Sequence, residues 1–297
     1  MLVRTASDRV EIQAPAKINL FLEVLAKRPD GYHEIETLMA RVGLFDSLSF
    51  TSTENSDIRL DCRWSLGSSR DMGELPPAEK NIVTRAASLL QQRSGCKQGA
   101  AIQLVKRIPS TAGLGGASSD AAATLVAANL AWKLGWSRER LMALAAEIGS
   151  DVPFFLAGGS AVCRGRGERI EAAEPVFVHV VVVRPPVGLS TPEVYSRCVP
   201  ARAPKTVGPL LESLAKGEWR MVRESLVNRL EEPASQLTPW IGRLRQEFEQ
   251  AGCAIHQMSG SGSSYFGICR SRNHARRVAG RLRSRNVGLV MMLTTLG

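Results

Sequence analysis

The segment PSTAGLGGASSDAA, residues 109–122, constrains this chain more than any other stretch. It follows an apolar, strand-like run, AIQLVKRI at 101–108. It leads into an alanine-rich stretch from Ser118 to Leu134 that reads as a helix ended by Gly135. Glycines permit tight turns in which successive backbone N–H groups point at one place. A helix start adds unbonded N–H groups and the positive end of its dipole. Strand, glycine turn and helix start in that order make a cradle for phosphate. Ser118, Ser119 and Asp120 add hydroxyls and a carboxylate beside it. The loop is not a Walker A sequence, because no Lys-Ser/Thr follows its glycines. It also misses the dinucleotide pattern, because Ser118 stands at the last glycine position. An ordinary glycine-rich loop with a serine helix cap is the other use these residues have.

Composition bounds what such a cradle could serve. A chain of 297 residues, 44% hydrophobic, can bury a core in two domains or one large one. No run of about eighteen apolar residues occurs, so no transmembrane helix is expected. Residues 1–13 carry charges and no apolar signal core, which points to the cytoplasm. The six cysteines form no Cys-x-x-Cys pair and the four histidines show no ligand spacing. Neither a disulfide framework nor a zinc site is expected, and no residue is assigned as a metal ligand. The net charge of +10 suits an anionic small molecule. Arginine-rich residues 270–285 read as a solvated helix with an apolar stripe at Val278 and Leu282. No aromatic residue interleaves with those arginines, so bases have no stacking platform there. Nucleic acid and membrane are therefore not expected partners.

Residues 10–24 alternate through Ile18, Leu20, Leu22 and Val24, the period of a half-buried strand. RPDG at 28–31 is a turn, and a second strand runs from Ile35 to about Phe50. Residues 53–78 read as loop with a short strand at 58–62. A helix fits Asn81 to Gln92, with Ile82, Ala86, Leu89 and Leu90 inward and Gly95 at its end. Another fits Ser137 to Ile148 between a serine cap and Gly149. Near Gly158 the pattern changes, which sets a domain boundary close to residue 160. Strands then fit 160–164, 177–184, 265–269 and 288–293. Helices fit 210–230 in pieces, 234–251 and 274–285.

Several residues outside the loop could carry chemistry. Lys17 and Asn19 lie two apart on a strand and share a face, which is either a cleft or a solvated surface. Asp151, in GSDVPFF, either caps a helix ahead of Pro153 or serves as a catalytic carboxylate. Residues 258–264, MSGSGSS, are either a second binding loop or a flexible turn. His33 and Tyr32 follow the RPDG turn, a place where surface packing is the ordinary explanation.

Three segments in order, APAKINL (14–20), PSTAGLGGASSDAA (109–122) and SGSGSS (259–264), resemble the signatures of the GHMP kinase superfamily. GYHEIETL (31–38), GSDVPFF (149–155) and STPEVY (190–195) are similar to the branch acting on a cytidine-diphosphate-linked polyol. The resemblance spans about residues 10–270. It implies an α/β (α+β) fold of two domains. These are a ribosomal-S5-like N-terminal domain, 1–160, with the ATP phosphate loop, and a ferredoxin-like C-terminal domain, 161–297. It implies ATP- and Mg²⁺-dependent phosphorylation of a hydroxyl in the non-mevalonate route to isoprenoid precursors.

By motif position, Asp151 becomes the catalytic base and Lys17 its partner cation. Asn19, Tyr32, His33, Thr191 and Tyr195 become substrate-binding residues, with the two tyrosines holding the cytosine. Asn81 falls at the adenine. Pro109, Ser110, Thr111, Ala112, Gly113, Leu114, Gly115, Gly116, Ala117, Ser118 and Ser119 become the ATP loop. Two positions depart from the pattern. Ala117 replaces the last loop glycine and would be strained by about 1 kcal/mol at a positive φ. Arg229 follows Asn228 where the family tends to have Asp. A homoserine- or mevalonate-type kinase and a non-catalytic nucleotide-binding protein are the rival readings. Tyr32, His33 and Tyr195 argue against the first, and the intact Lys17 and Asp151 against the second.

Overall fold

In the computed structural model, which describes residues 1–6, 9–67 and 72–297, the chain divides by compactness into two units. One holds residues 1–16, 44–110 and 115–158, the other 17–43, 111–114 and 159–297. Two long strands contribute to both.

In the first unit, β1 (Leu2–Thr5) lies antiparallel to the start of β2 (Arg9–Lys27), with Leu2 opposite Gln13. The later half of β3 (His33–Thr53) pairs antiparallel with β5 (Gly99–Lys106), and β4 (Ile58–Trp64) adds to β5 in parallel. Among the described residues, the α-helices of this unit are α1 (Ile82–Ser94), α2 (Gly116–Ala131), α3 (Arg138–Ile148) and α4 (Val152–Ala157). Asn81 caps α1 by accepting the Val83 N–H at 3.0 Å, and Gly95 ends it in the left-handed region. The inward face of α1 is Val83, Ala86, Ala87 and Leu90; Ile82 and Leu89, expected inward, are only partly buried. Helix α2 starts two residues before Ser118, because Gly115 at φ 70° takes the cap position. Ala117 therefore sits in its first turn with no positive φ, and the expected strain does not arise.

The second unit opens with the earlier half of β3 paired to β6 (Ser160–Gly165), which carries β7 (Arg169–Ala173) on its other edge. A four-stranded antiparallel sheet follows, in the order β10 (His256–Met258), β11 (Tyr265–Cys269), β8 (His179–Arg184), β12 (Leu289–Thr294). With helices between β8 and β10 and between β11 and β12, this is the split βαβ arrangement of a ferredoxin-like fold. The helices are α5 (Thr191–Ser196), α6 (Gly208–Lys216), α7 (Trp219–Ser225), α8 (Glu231–Leu237), α9 (Trp240–Gln250) and α10 (Arg272–Ser284). A short strand, β9 (Val227–Asn228), joins β2 in parallel. The core packs Val181, Val183 and Tyr265 of the sheet against Ile241, Leu244 and Phe248 of α9 and Val278 and Leu282 of α10.

Some expectations need correcting. β2 is buried continuously from Ala14 to Val24 rather than on alternate residues, because protein covers both of its faces. The helix expected over 234–251 is broken between α8 and α9, where Thr238 is extended and Pro239 starts the new turn. Of the loop expected over 53–78, residues 68–71 lie outside the described residues. Among the described residues, no two cysteines are joined in a disulfide. Among the described residues, no helix is long and apolar enough to cross a membrane.

Candidate active site

In the second unit, Lys17 and Asn19 sit on β2, both 3% exposed, so the solvated-surface alternative falls. Lys17 Nζ donates to Asn19 Oδ1 at 2.5 Å. Asn19 Nδ2 donates to Thr37 Oγ1 at 2.8 Å, and that hydroxyl donates to the Phe21 carbonyl at 2.5 Å. This relay fixes which way the Asn19 amide points, and so where the Lys17 ammonium is held.

The same pair is tied to both glycine loops. Lys17 N–H donates to the Leu114 carbonyl at 2.9 Å. Ser259 Oγ accepts the Asn19 N–H at 3.3 Å and donates to the Gly113 carbonyl at 3.0 Å. A Cβ on Gly260 would lie 3.0 Å from Asn19 Oδ1 and 3.2 Å from Lys17 Nζ, so a bare backbone is needed there. A Cβ on Gly113 would collide with the Ser259 carbonyl.

The 259–264 loop is no flexible turn. Gly262 N–H donates to Ser259, Ser264 N–H to Ala112, and the Ser263 hydroxyl to Val187. Asn228 Nδ2 bridges the Met258 and Gly260 carbonyls at 2.7 and 2.9 Å. The next residue explains its departure from the family pattern. Arg229 closes a bidentate pair, at 2.6 and 2.8 Å, on the fully buried carboxylate of Glu23. Burial acts to raise the Glu23 pKa, but Arg229 and the Lys205 and Val24 N–H groups outweigh it and hold the carboxyl below its usual value.

The remaining candidate substrate residues of this unit fall into three groups. His33 is buried, not a surface residue, and its ring centre lies 5.2 Å from that of Tyr195 at 37°. Burial, and then the Lys27 charge, hold His33 below the usual histidine pKa, so the ring is neutral at pH 7 and can both donate and accept. Thr191, at the first turn of α5, shares a 2.8 Å hydrogen bond with Ser261 Oγ. Tyr32 is half exposed and stacks its ring on Arg166, with 4.8 Å from guanidinium carbon to ring centre.

In the first unit, residues 115–119 form the start of α2. The Ser119 hydroxyl is buried and has no hydrogen-bond partner among the described residues. Such an orphan at the positive end of a helix is costly unless a ligand meets it. It fits a phosphate oxygen, or a Mg²⁺ carried mainly by phosphates. Among the described residues, no three acidic, histidine or cysteine side chains cluster as a metal cage.

Behind this helix start lies a cluster that local sequence reading misses. Lys106 Nζ reaches Asp46 Oδ2 and Asp120 Oδ2, each at 2.5 Å and all buried. Asp46 Oδ1 accepts the Ile108 N–H at 2.9 Å and also the Arg107 N–H. A Cβ on Gly116 would press on Ile108 at 2.9 Å and on Lys106 Nζ at 3.3 Å, which accounts for the glycine there. Burial, with Asp46 adding to it, pushes Asp120 up to about 8 against the pull of Lys106. Asp151 stands at the head of α4, half-buried, but makes no side-chain capping bond, so capping does not explain it.

A buried lysine held by two glycine loops, with a phosphate-type helix start elsewhere in the chain, defines a class. The family descriptions "GHMP kinases N terminal domain" and "GHMP kinases C terminal" match residues 81–159 and 210–288. The chain belongs to the GHMP kinase family. It is 42% identical to the Pelotomaculum thermopropionicum protein named 4-diphosphocytidyl-2-C-methyl-D-erythritol kinase, over 91% of this chain and 92% of that one. A solved 4-(cytidine 5'-diphospho)-2C-methyl-D-erythritol kinase is 39% identical, covers 97% of this chain and 99% of its own, and superposes with a TM-score of 0.80. Homoserine kinase from Cytophaga hutchinsonii shares the fold at a TM-score of 0.76 and 20% identity, over 100% of this chain and 97% of its own.

Proposed function

We propose that this protein phosphorylates the 2-hydroxyl of 4-diphosphocytidyl-2-C-methyl-D-erythritol with ATP, a step toward isoprenoid precursors by the non-mevalonate route. The observation that carries the reading is 42% identity over nine-tenths of the chain to a relative bearing that enzyme's name. The geometry supports it. Phosphoryl transfer needs positioning and charge stabilisation more than covalent help, and a dipole-held ammonium beside a glycine loop supplies both.

In this reading, residues 109–119 bind the ATP phosphates through backbone N–H groups, and Asn81 lies on the adenine side. Lys17 stabilises charge that develops during transfer, and Asp151 takes the proton of the attacking hydroxyl. Asn19 and Thr191 position the polyol. His33 reads the cytosine edge, and Tyr32 and Tyr195 hold its faces. When bound, Mg²⁺ neutralises phosphate charge; the Ser119 hydroxyl is the side-chain group that would meet it. The phosphate loop belongs to an N-terminal domain of residues 1–160, and 161–297 form the C-terminal one; one family match falls in each.

An ADP-release assay with the cytidyl substrate, mevalonate and homoserine tests the proposal. Turnover of the cytidyl substrate alone is expected. Turnover of either other alcohol, with none of the cytidyl substrate, would overturn it.

A further inference from the structure

The contact between Arg166 and Tyr32 has no place in the reaction outlined above, yet its geometry is specific. Strand β6 ends at Gly165 (φ 75°), and Gly167 (φ 119°) turns the chain into β7. Both glycines adopt a conformation that side-chain-bearing residues avoid, so Arg166 is projected from the tip of a tight turn. The register of β6 on β3 puts Gly165 opposite Ile35, which brings that tip beside Tyr32 and His33.

Charge pairs lock the two segments together. Arg28 binds Glu34 at 2.8 Å and Asp30 at 3.1 Å, and Arg169 also pairs with Glu34. Asp30 Oδ1 accepts the Tyr32 N–H at 3.1 Å, so the backbone of Tyr32 is held. The residue is 51% exposed, so burial does not hold its ring. What it does have is the Arg166 guanidinium on one face, 4.8 Å from the ring centre. Glu168 steadies Arg166 from behind, accepting its backbone N–H at 2.7 Å, with its carboxylate 3.8 Å from Nε.

We propose that Arg166 is a positioning residue for pyrimidine recognition: it occupies one face of Tyr32, fixes the ring plane, and leaves the other face to the cytosine of the substrate. The proposal rests on the cytidyl-substrate reading. A planar guanidinium suits this role because it stacks flat on a ring, which a lysine ammonium cannot do. An exposed tyrosine that is already ordered loses less rotamer freedom when a base stacks on it. The guanidinium also draws on the ring's quadrupole, an attraction that needs the arginine to stay in place.

The test is calorimetric binding of cytidine 5'-diphosphate to the full chain, with steady-state kinetics alongside. Arg166→Ala should weaken the diphosphate Kd by roughly 3- to 10-fold, the range for a partly exposed cation–ring contact. Arg166→Lys should recover only part of that loss. The kinetic effect should fall on KM for the cytidyl substrate rather than on kcat or on KM for ATP. In a Tyr32→Ala background, Arg166→Ala should add no more than about 1.5-fold, because the contact it acts through is gone. A role confined to the hairpin and its ion pairs would cost the same in both backgrounds, and that result would overturn the proposal. So would an unchanged Kd for Arg166→Ala when the unaltered protein binds the diphosphate. Absence of binding by the unaltered protein would instead overturn the substrate reading, and this inference with it.

Discussion

Among the described residues two lysines are buried, Lys17 and Lys106, and they keep different company. Lys106 lies between the carboxylates of Asp46 and Asp120, and Asp46 is further occupied by two backbone N–H groups. Its bonds run from the end of β5 to the first turns of α2, so they hold a frame. Lys17 donates to the amide oxygen of Asn19, and its surroundings run through Thr37 and Ser259 to the backbone of two glycine loops. That ammonium is set among oriented dipoles, next to a glycine whose Cβ would crowd it, the kind of setting that the proposed reading needs for stabilising charge. The same residue type thus braces a scaffold in one place and, in the proposed reading, serves chemistry in the other.

The sharpest way to break this comparison is Lys106→Met. It takes away the cation that faces the buried Asp46 carboxylate and the Asp120 carboxyl, and loss of one partner from a buried ion cluster costs about 3–5 kcal/mol. Chemical denaturation should show a loss of that size. A loss below about 1 kcal/mol would mean that the cluster does not hold the frame.

Recognition should behave differently from both. Tyr32→Ala and Tyr195→Ala should each raise KM for the cytidyl substrate roughly 5- to 100-fold, from about 1–3 kcal/mol of stacking per face. kcat should fall much less, because the base is remote from the reacting hydroxyl and is bound alike before and during transfer. Unchanged KM in both variants would remove the tyrosine pair from the site.

The smallest signal is a pH dependence that belongs to the frame alone. Asp120, at about 8 in the fold, stands well above the ordinary aspartate value near 3.9. The folded state holds a proton that the unfolded state has already lost, so unfolding releases it. The contribution is complete below about pH 4 and is lost as pH rises toward 8. Compared with Asp120→Asn, the unaltered protein should lose an extra roughly 2–5 °C of Tm between pH 5.5 and 7.5. Parallel Tm profiles would show that Asp120 is ionised in the fold throughout.

The same contrast explains what could be read in the sequence. Lys17 and Asn19 are two residues apart on one strand, so their shared face is a local fact. The glycine loop and its helix start are likewise contiguous. Lys106 reaches partners 60 and 14 residues away, and Ser259 meets Asn19 across 240 residues. No local period marks such pairs, since only the strand register and helix packing create them. Arg229 was visible as a departure, but its reason, the buried Glu23, lies 206 residues off. The short helix α5, which carries Thr191 and Tyr195, spans six residues and is too brief for a helical period to show. Burial of both faces of β2 was hidden for the related reason that alternation records only the residues, not what later covers them.

Asp46 and Asp151 complete the comparison. The first is consumed by Lys106 and two N–H groups, while the second heads a helix it does not cap. The most direct test of the account is therefore single-turnover phosphoryl transfer from ATP to the cytidyl substrate by Asp151→Asn, with ATP binding measured on the same folded sample. Loss of the general base should slow transfer by roughly 10²-fold or more while the ATP Kd stays unchanged. Transfer at a near-normal rate would contradict the assignment of Asp151 as the base.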